Sequence, residues 1–342
     1  MLSVVYDKKK GLKVAKLHVP EIADDEALIK LDVCGVCGSD LVKIKNDLIP
    51  DGTVLGHEVV GTLVETGNNL RKWNIGQKIV VAHHVPCLSC YFCKSGNFSM
   101  CEQFKKTNLT PGGFSEYLKV SRAHLEHVAF LIPKGTVSDQ EISFTEPLAC
   151  CLRAVQRANI TTSNSVLIIG LGSIGNMLGL LCVQKGAFTY GTDILDERLT
   201  FAKNNSSIHD GYLANNLNEL KSWILNKTEG RGVDVVLLAS GSSKSISQAL
   251  SLVRSGGKII VFSSISREEG FLNNEIYYRD LTIIGSYSPS PILLKEAFQL
   301  IITGKIKLKN LISDVVPLNE LPHQIDKCFS NKSLKMIVHN NI

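Results

Sequence analysis

An α/β fold in two domains, one β-rich and one a doubly wound parallel sheet, follows from three observations. The first third alternates apolar and polar residues, as in Ala27-Leu28-Ile29-Lys30-Leu31-Asp32-Val33, which is the period of half-buried strands. The middle holds short continuous apolar runs separated by helical patterns, as expected of parallel strands covered on both faces. The length, 342 residues, is more than one hydrophobic core usually fills.

Along the first third, Pro20 and Asp24-Asp25 mark turns, and 56–64 and 77–81 read as further strands, the latter after a turn at Gly76. Between them lies Cys37-Gly38-Ser39-Asp40, followed after sixteen residues by His57-Glu58. Cys, His and carboxylates are the side chains that hold zinc, and three protein ligands with one open position make a zinc site catalytic. Cys37 and His57 are therefore candidate ligands of a catalytic zinc. The competing interpretation is a buried Cys and a core His that never meet. Cys87, Cys90, Cys93 and Cys101 then fall within fifteen residues, which suits a closed, structural four-cysteine zinc site. A ferredoxin-like iron–sulfur run opens with the same two gaps but then needs three residues and Cys-Pro, whereas here the last gap is seven and Glu102 follows.

Pro111-Gly112-Gly113 turns into a strand, and Thr145-Glu146-Pro147-Leu148 opens a helical apolar segment to Ala158. By itself, Glu146 reads as a first-turn carboxylate favoured by the helix dipole. The run 165–169 enters Gly170-Leu171-Gly172-Ser173-Ile174-Gly175, and an apolar helix follows to Gln184. Strand, GxGxxG and helix in that order form a dinucleotide-binding turn, with the diphosphate at the helix N-terminus. Asp193, eighteen residues beyond Gly175, is placed to bond a ribose 2′-hydroxyl, so NAD is expected over NADP, with Arg198 able to weaken that preference. Strands at 233–238, 258–262 and 281–285 and a helix at 245–253 complete a Rossmann domain over 150–287. The tail, with a helix at 292–302 and a strand at 335–338, returns to the first domain, 1–149.

Composition narrows the classes. Net charge is +5, but the Lys and Arg are dispersed, so no nucleic-acid partner is expected. No run reaches the roughly 18 apolar residues that span a bilayer, and Met1 to Lys10 has no signal core, so a cytoplasmic protein without membrane association is expected. The ten cysteines then argue against a disulfide framework. Cys150, Cys151, Cys182 and Cys328 read as small core residues.

Taken together, the Cys37 and His57 motifs, the four spaced cysteines, Glu146-Pro147-Leu148 and the glycine loop with Asp193 resemble the zinc-dependent medium-chain dehydrogenases. The resemblance covers essentially the whole chain, and Glu-Pro-Leu is similar to the sorbitol (polyol) branch. It implies a GroES-like catalytic domain, two zinc ions per chain, NAD and a small alcohol or polyol substrate. A polyol phosphate, a cyclitol or an amino alcohol such as threonine is an alternative substrate, and a non-catalytic NAD binder an alternative function. It further implies that Cys37 and His57 hold the catalytic zinc, with Glu58 and Glu146 binding it directly or through water. Asp40 would orient the His ligand, and Ser39 would bond the substrate alcohol. Ser263, Ser264 and Ser286 would lie near the nicotinamide. Dimers or tetramers are the implied assemblies. Many relatives carry a His three residues after the relay hydroxyl; here Val42 stands there, followed by Lys43 and, two further on, Lys45, which could meet an anion.

Overall fold

The computed structural model describes residues 1–135, 137–264 and 273–340. The chain divides into two compact units, Met1–Ala149 with Pro289–Ile342, and Cys150–Ser288. The first unit opens on an antiparallel hairpin of β1 (Leu2–Asp7) and β2 (Gly11–Lys16). It continues through β3 (Glu26–Gly35), α1 (Gly38–Lys45), β4 (Glu58–Thr66), β5 (Lys78–Ala82), β6 (Tyr117–Ser121) and β7 (Ala129–Leu131). Its alternating apolar residues Ile29, Leu31, Leu63, Ile79 and Val81 share one buried cluster. Each such aliphatic side chain contributes about 1.5–3 kcal/mol on leaving water.

The helical segment that Thr145-Glu146-Pro147-Leu148 is expected to open is α2 (Thr145–Ala158). Pro147 therefore lies in the first turn, where no backbone N–H is required, and Glu146 is in that same turn. The unit boundary in sequence falls within this helix.

The second unit is built from β8 (Ser165–Ile169), α3 (Ser173–Gln184), β9 (Phe188–Asp193), α4 (Asp196–Asn204), β10 (Asp210–Leu213), α5 (Leu217–Lys227), β11 (Val233–Leu238), α6 (Lys244–Leu252), β12 (Val253–Val261) and β13 (Thr282–Gly285). Its strands run parallel in the order β10-β9-β8-β11-β12-β13. That is the 3-2-1-4-5-6 order of the dinucleotide-binding fold, in which ligands sit at the carboxyl ends of the strands. β8 is central and fully buried at Val166, Leu167 and Ile168, which is why it reads as a continuous apolar run. β12 begins before the apolar run at 258–262 because Val253 already pairs with Val233; the register then shifts, and the ladder resumes at Lys258 opposite Val235.

The tail returns through α7 (Pro291–Ile302), β14 (Asp314–Pro317) and β15 (Met336–His339). The first unit's main sheet has the order β14-β15-β3-β4-β5-β7, with β6 also on β3. β3 is thus flanked by the chain's end and by β4. Gly35 faces Ile337 on one side and Glu58 on the other. Cys151 and Cys182 are buried, while Cys150 and Cys328 are half-buried; all four are free thiols.

The glycine loop is tight enough to test. Gly170 has φ +95°, which favours glycine, and a Cβ at Gly175 would lie 1.9 Å from the Gly170 carbonyl oxygen. Gly175→Ala is expected to destabilise the second unit by about 2–3 kcal/mol, because backbone rather than a movable side chain stands in the way. Urea unfolding followed by tryptophan fluorescence checks this; Trp223 lies in that unit.

Candidate functional site

In the first unit, α1 and the start of β4 bring three ligand types together. One ligand atom each of Cys37, His57 and Glu58 lies within 4.8 Å of the others. Cys37 is the residue before α1, and His57 and Glu58 enter β4. Asp40, in the first turn of α1, is fully buried. Its Oδ2 accepts from the Cys37 N–H at 3.1 Å, and its Oδ1 stands 3.4 Å from His57 Nδ1. A carboxylate behind a ligating imidazole fixes its ring and tautomer. Burial alone raises Asp40, but His57 beside it brings the net shift downward. Burial likewise disfavours charge on His57, yet Asp40 and Cys37 outweigh it and hold the ring well above its usual range. Such surroundings attract a cation. Ser39 is exposed at the start of the same helix.

Glu58 is 1% exposed, and its two oxygens are used differently. Oε2 meets the ammonium of Lys335, which also donates to the Val36 carbonyl at 3.0 Å. Oε1 is buried and has no hydrogen-bond partner among the described residues. An orphaned carboxylate oxygen beside a thiol and an imidazole fits a divalent metal. Burial pushes the Lys335 ammonium down, but Glu58 and the Cys37 thiol more than compensate, and its pKa is raised. The pair needs Gly35: a Cβ there would stand 1.9 Å from Glu58 Oε2 and 2.9 Å from Lys335 Cε. Glu146 does not join the converging set. It lines a cavity that Glu58 also lines, and is 8% exposed.

Lys335 has no sequence signal, since 277 residues separate it from Glu58 and only the β15–β3–β4 register brings them together. His83 and His84, just after β5, are a visible pair with no motif attached. The rings of His57 and His83 lie 4.6 Å apart, and those of His83 and His84 3.9 Å apart. Burial, then the charge of His57, pushes His83 well down, and burial takes His84 to about 4. Lys43 is half-buried and close enough to lower both; Lys45 is exposed.

The four spaced cysteines also converge, with ligand atoms within 4.8 Å of one another. Cys90 and Cys93 sulfurs stand 3.6 Å apart. Backbone amides favour the thiolate form: Cys90 N–H donates to Cys87 Sγ at 3.3 Å, and Cys87 N–H to Cys101 Sγ at 3.4 Å. The Ser89 amide, with its hydroxyl, brings Cys87 to about 6, while burial pushes Cys93 up to about 12. Four sulfurs converging in this way fit one shared ion.

In the second unit, Gly172 ends the turn before α3, and Ser173 begins the helix with a buried Oγ that has no partner among the described residues. An unmet hydroxyl at a twelve-residue helix's N-terminus fits a diphosphate. Ile174 is half-buried beside it. Asp193 closes β9; Oδ2 accepts from Leu171 N–H at 2.7 Å and Oδ1 from Leu195 N–H at 3.0 Å. Arg198 Nη1 stands 3.8 Å from Asp193 Oδ2 and the same distance from where a Gly172 Cβ would be. Ser263 and Ser286 follow β12 and β13 at their carboxyl ends, with Ser286 buried; Ser264 is exposed.

Residues 23–130 match the alcohol dehydrogenase GroES-like domain family and residues 173–303 the zinc-binding dehydrogenase family. The D-arabitol-phosphate dehydrogenase of Enterococcus avium is 30% identical over 95% of this chain and 93% of its own length. The sorbitol dehydrogenase of Bacillus subtilis (strain 168) is 29% identical over 100% and 98%. Among solved structures, galactitol-1-phosphate dehydrogenase from Escherichia coli superposes with a TM-score of 0.86 at 25% identity, over 99% of this chain and 100% of that one.

Lys335→Met leaves Glu58 buried without its counter-charge. The variant is expected to lose about 3–5 kcal/mol of stability and to bind zinc 10- to 100-fold more weakly, approximately. Thermal melting of the metal-free protein and zinc competition against a chelating dye check the two effects separately.

Proposed function

We propose, for a chain that belongs to the zinc-type medium-chain alcohol dehydrogenase family, that it reversibly oxidises a secondary hydroxyl of a polyol or polyol phosphate with NAD as hydride acceptor. The observation that carries this reading is the convergence of Cys37, His57 and Glu58, with Glu58 Oε1 left unmet, in one unit of a chain whose other unit has the dinucleotide-binding strand order. Cys37, His57 and Glu58 would hold the catalytic zinc, with Glu146 outside the direct set; Cys87, Cys90, Cys93 and Cys101 would hold a structural one. When bound, zinc supplies a Lewis acid for the carbinol oxygen and the nicotinamide takes up the hydride.

The chain's own residues do the rest. Asp40 holds the His57 ring through Nδ1, and Lys335 holds Glu58 through Oε2. Ser39 offers a hydroxyl to the substrate alcohol and takes its proton toward solvent, to which it is open. Val42 cannot relay that proton, and at 41% exposure it leaves the route to bulk water. Ser173 and the N–H groups opening α3 cradle the diphosphate. Asp193 turns from backbone amides toward the ribose hydroxyls, and its charge disfavours a 2′-phosphate. Lys43, whose charge reaches Asp40, gives an anionic substrate end a counter-charge.

NADH formation across sorbitol, arabitol, their phosphates, threonine and simple alcohols tests the reading. Turnover on a polyol or polyol phosphate is expected with NAD, and a zinc chelator is expected to abolish it. Cys37→Ser is expected to lower kcat/KM by about 10³-fold while NADH binding, followed by fluorescence, is retained. Wild-type rates from Cys37→Ser with no bound metal would overturn the reading.

A further inference from the structure

Beside the metal ligands stands an imidazole whose hydrogen bonding is unmet. His83 follows β5, and its ring lies 4.6 Å from that of His57, tilted by 49°. The neighbouring histidines are all engaged. His84 Nδ1 meets the Thr107 carbonyl, and its ring rests 4.8 Å from Phe104. His124 is held between the Ser121 hydroxyl at 2.8 Å and the His83 carbonyl at 2.9 Å. His83 Nδ1 alone of these ring nitrogens is enclosed without a partner among the described residues. An enclosed N–H with no acceptor is worse tolerated than a bare lone pair, so the ring hydrogen belongs on Nε2.

The same ring lines a cavity with Glu146, Phe104, Pro291 and Leu294. Those walls are mostly apolar, and a phenyl or isobutyl group would complete them without an unmet polar atom. The other nitrogen, Nε2, likewise has no hydrogen-bond partner among the described residues but is not enclosed as Nδ1 is, so its N–H is the one a ligand can reach. The geometry places this donor next to the ring of a metal ligand, and so next to the place where the reacting oxygen would sit.

We propose that His83 is a specificity-determining residue that donates a hydrogen bond to a hydroxyl on the carbon adjacent to the reacting carbinol, so that the site selects vicinal polyols over simple secondary alcohols. The proposal rests on the dehydrogenase reading above. A site built to hydrogen-bond a substrate hydroxyl rejects the analogue lacking it far more strongly than an apolar pocket rejects an added one.

The test compares 2,3-butanediol with 2-butanol, which differ by one vicinal hydroxyl, in the zinc-loaded wild type, His83→Phe and His83→Gln. The ratio of kcat/KM for the diol to that for the mono-alcohol is expected to fall about tenfold or more in His83→Phe, carried by KM, and to recover in part in His83→Gln. An unchanged ratio, or an equal loss on both alcohols, overturns the proposal. Calorimetric binding of the diol to the NADH-loaded protein makes the same comparison without turnover. Roughly tenfold weaker binding to His83→Phe supports the role, whereas equal binding to both proteins, or binding to neither, overturns it. A wild type that oxidises neither these alcohols nor any polyol or polyol phosphate sinks the dehydrogenase reading, and the calorimetry still decides His83. Zinc content and melting temperature verify folding, with His83→Leu taking the place of His83→Phe if that variant does not fold.

Discussion

The buried ion pair of Glu58 and Lys335 is the constraint on which the first unit's site depends. Glu58 is 1% exposed and Lys335 5%. A carboxylate buried that deeply is costly without a counter-charge. Lys335 supplies that counter-charge and also fixes which oxygen is spent, leaving Oε1 without a partner among the described residues. Three strands cooperate in this. β4 presents Glu58, β15 follows directly from Lys335, and β3 runs between them with glycine at the crossing point. The ammonium is itself satisfied by the Val36 carbonyl, one residue beyond that glycine. The chain's last strand is therefore part of the site although it contributes no ligand.

Asp40 plays the matching part for the imidazole. Its two oxygens are divided between a backbone amide and His57, so one side chain both starts α1 and sets the ring's orientation. Cys37, immediately before that helix, is positioned by the same turn. Two carboxylates thus tune the site from opposite sides. One is locked by a lysine and leaves an oxygen toward Cys37 and His57, and the other is locked by an amide and faces His57. Neither arrangement tolerates loss of its partner, because the interior leaves a lone charge unscreened.

Much of this was legible because it is local. The strand, glycine loop and helix of the second unit lie within 165–184, and backbone geometry alone gives Gly170 and Gly175 their reason. The four cysteines within fifteen residues are similarly self-contained. Cys37, Asp40, His57 and Glu58 were visible as chemistry, but their convergence depends on α1 and β4 meeting in space. Asp193 was legible as an acidic group after β9, yet its two hydrogen bonds to Leu171 and Leu195 amides were not, since they come from the turn that it closes. Lys335 and His83 carried no pattern at all. A lysine before an apolar strand and a histidine after one are ordinary until sheet register decides what they face. Glu146 is the intermediate case: the Glu-Pro-Leu segment drew attention to it, and only the fold shows it lining a cavity with Glu58 while standing outside the converging ligand atoms.

The division between locked and unlocked polar groups separates two tasks. Groups that would hold the metal are tied to partners on the side away from it: His57 to Asp40, Glu58 to Lys335, and Cys37 through its own amide to Asp40. Ser39 and Lys43 on α1, and His83 beyond β5, have no such ties among the described residues. Ser39 is exposed, whereas at His83 the enclosed Nδ1 leaves the ring hydrogen to Nε2, so the histidine's free donor is the more informative. Metal-holding geometry must not change from one turnover to the next, whereas a substrate-facing group must exchange its partner every time. A donor that the fold orients beside the ligand residues and leaves unbonded is what the second task requires.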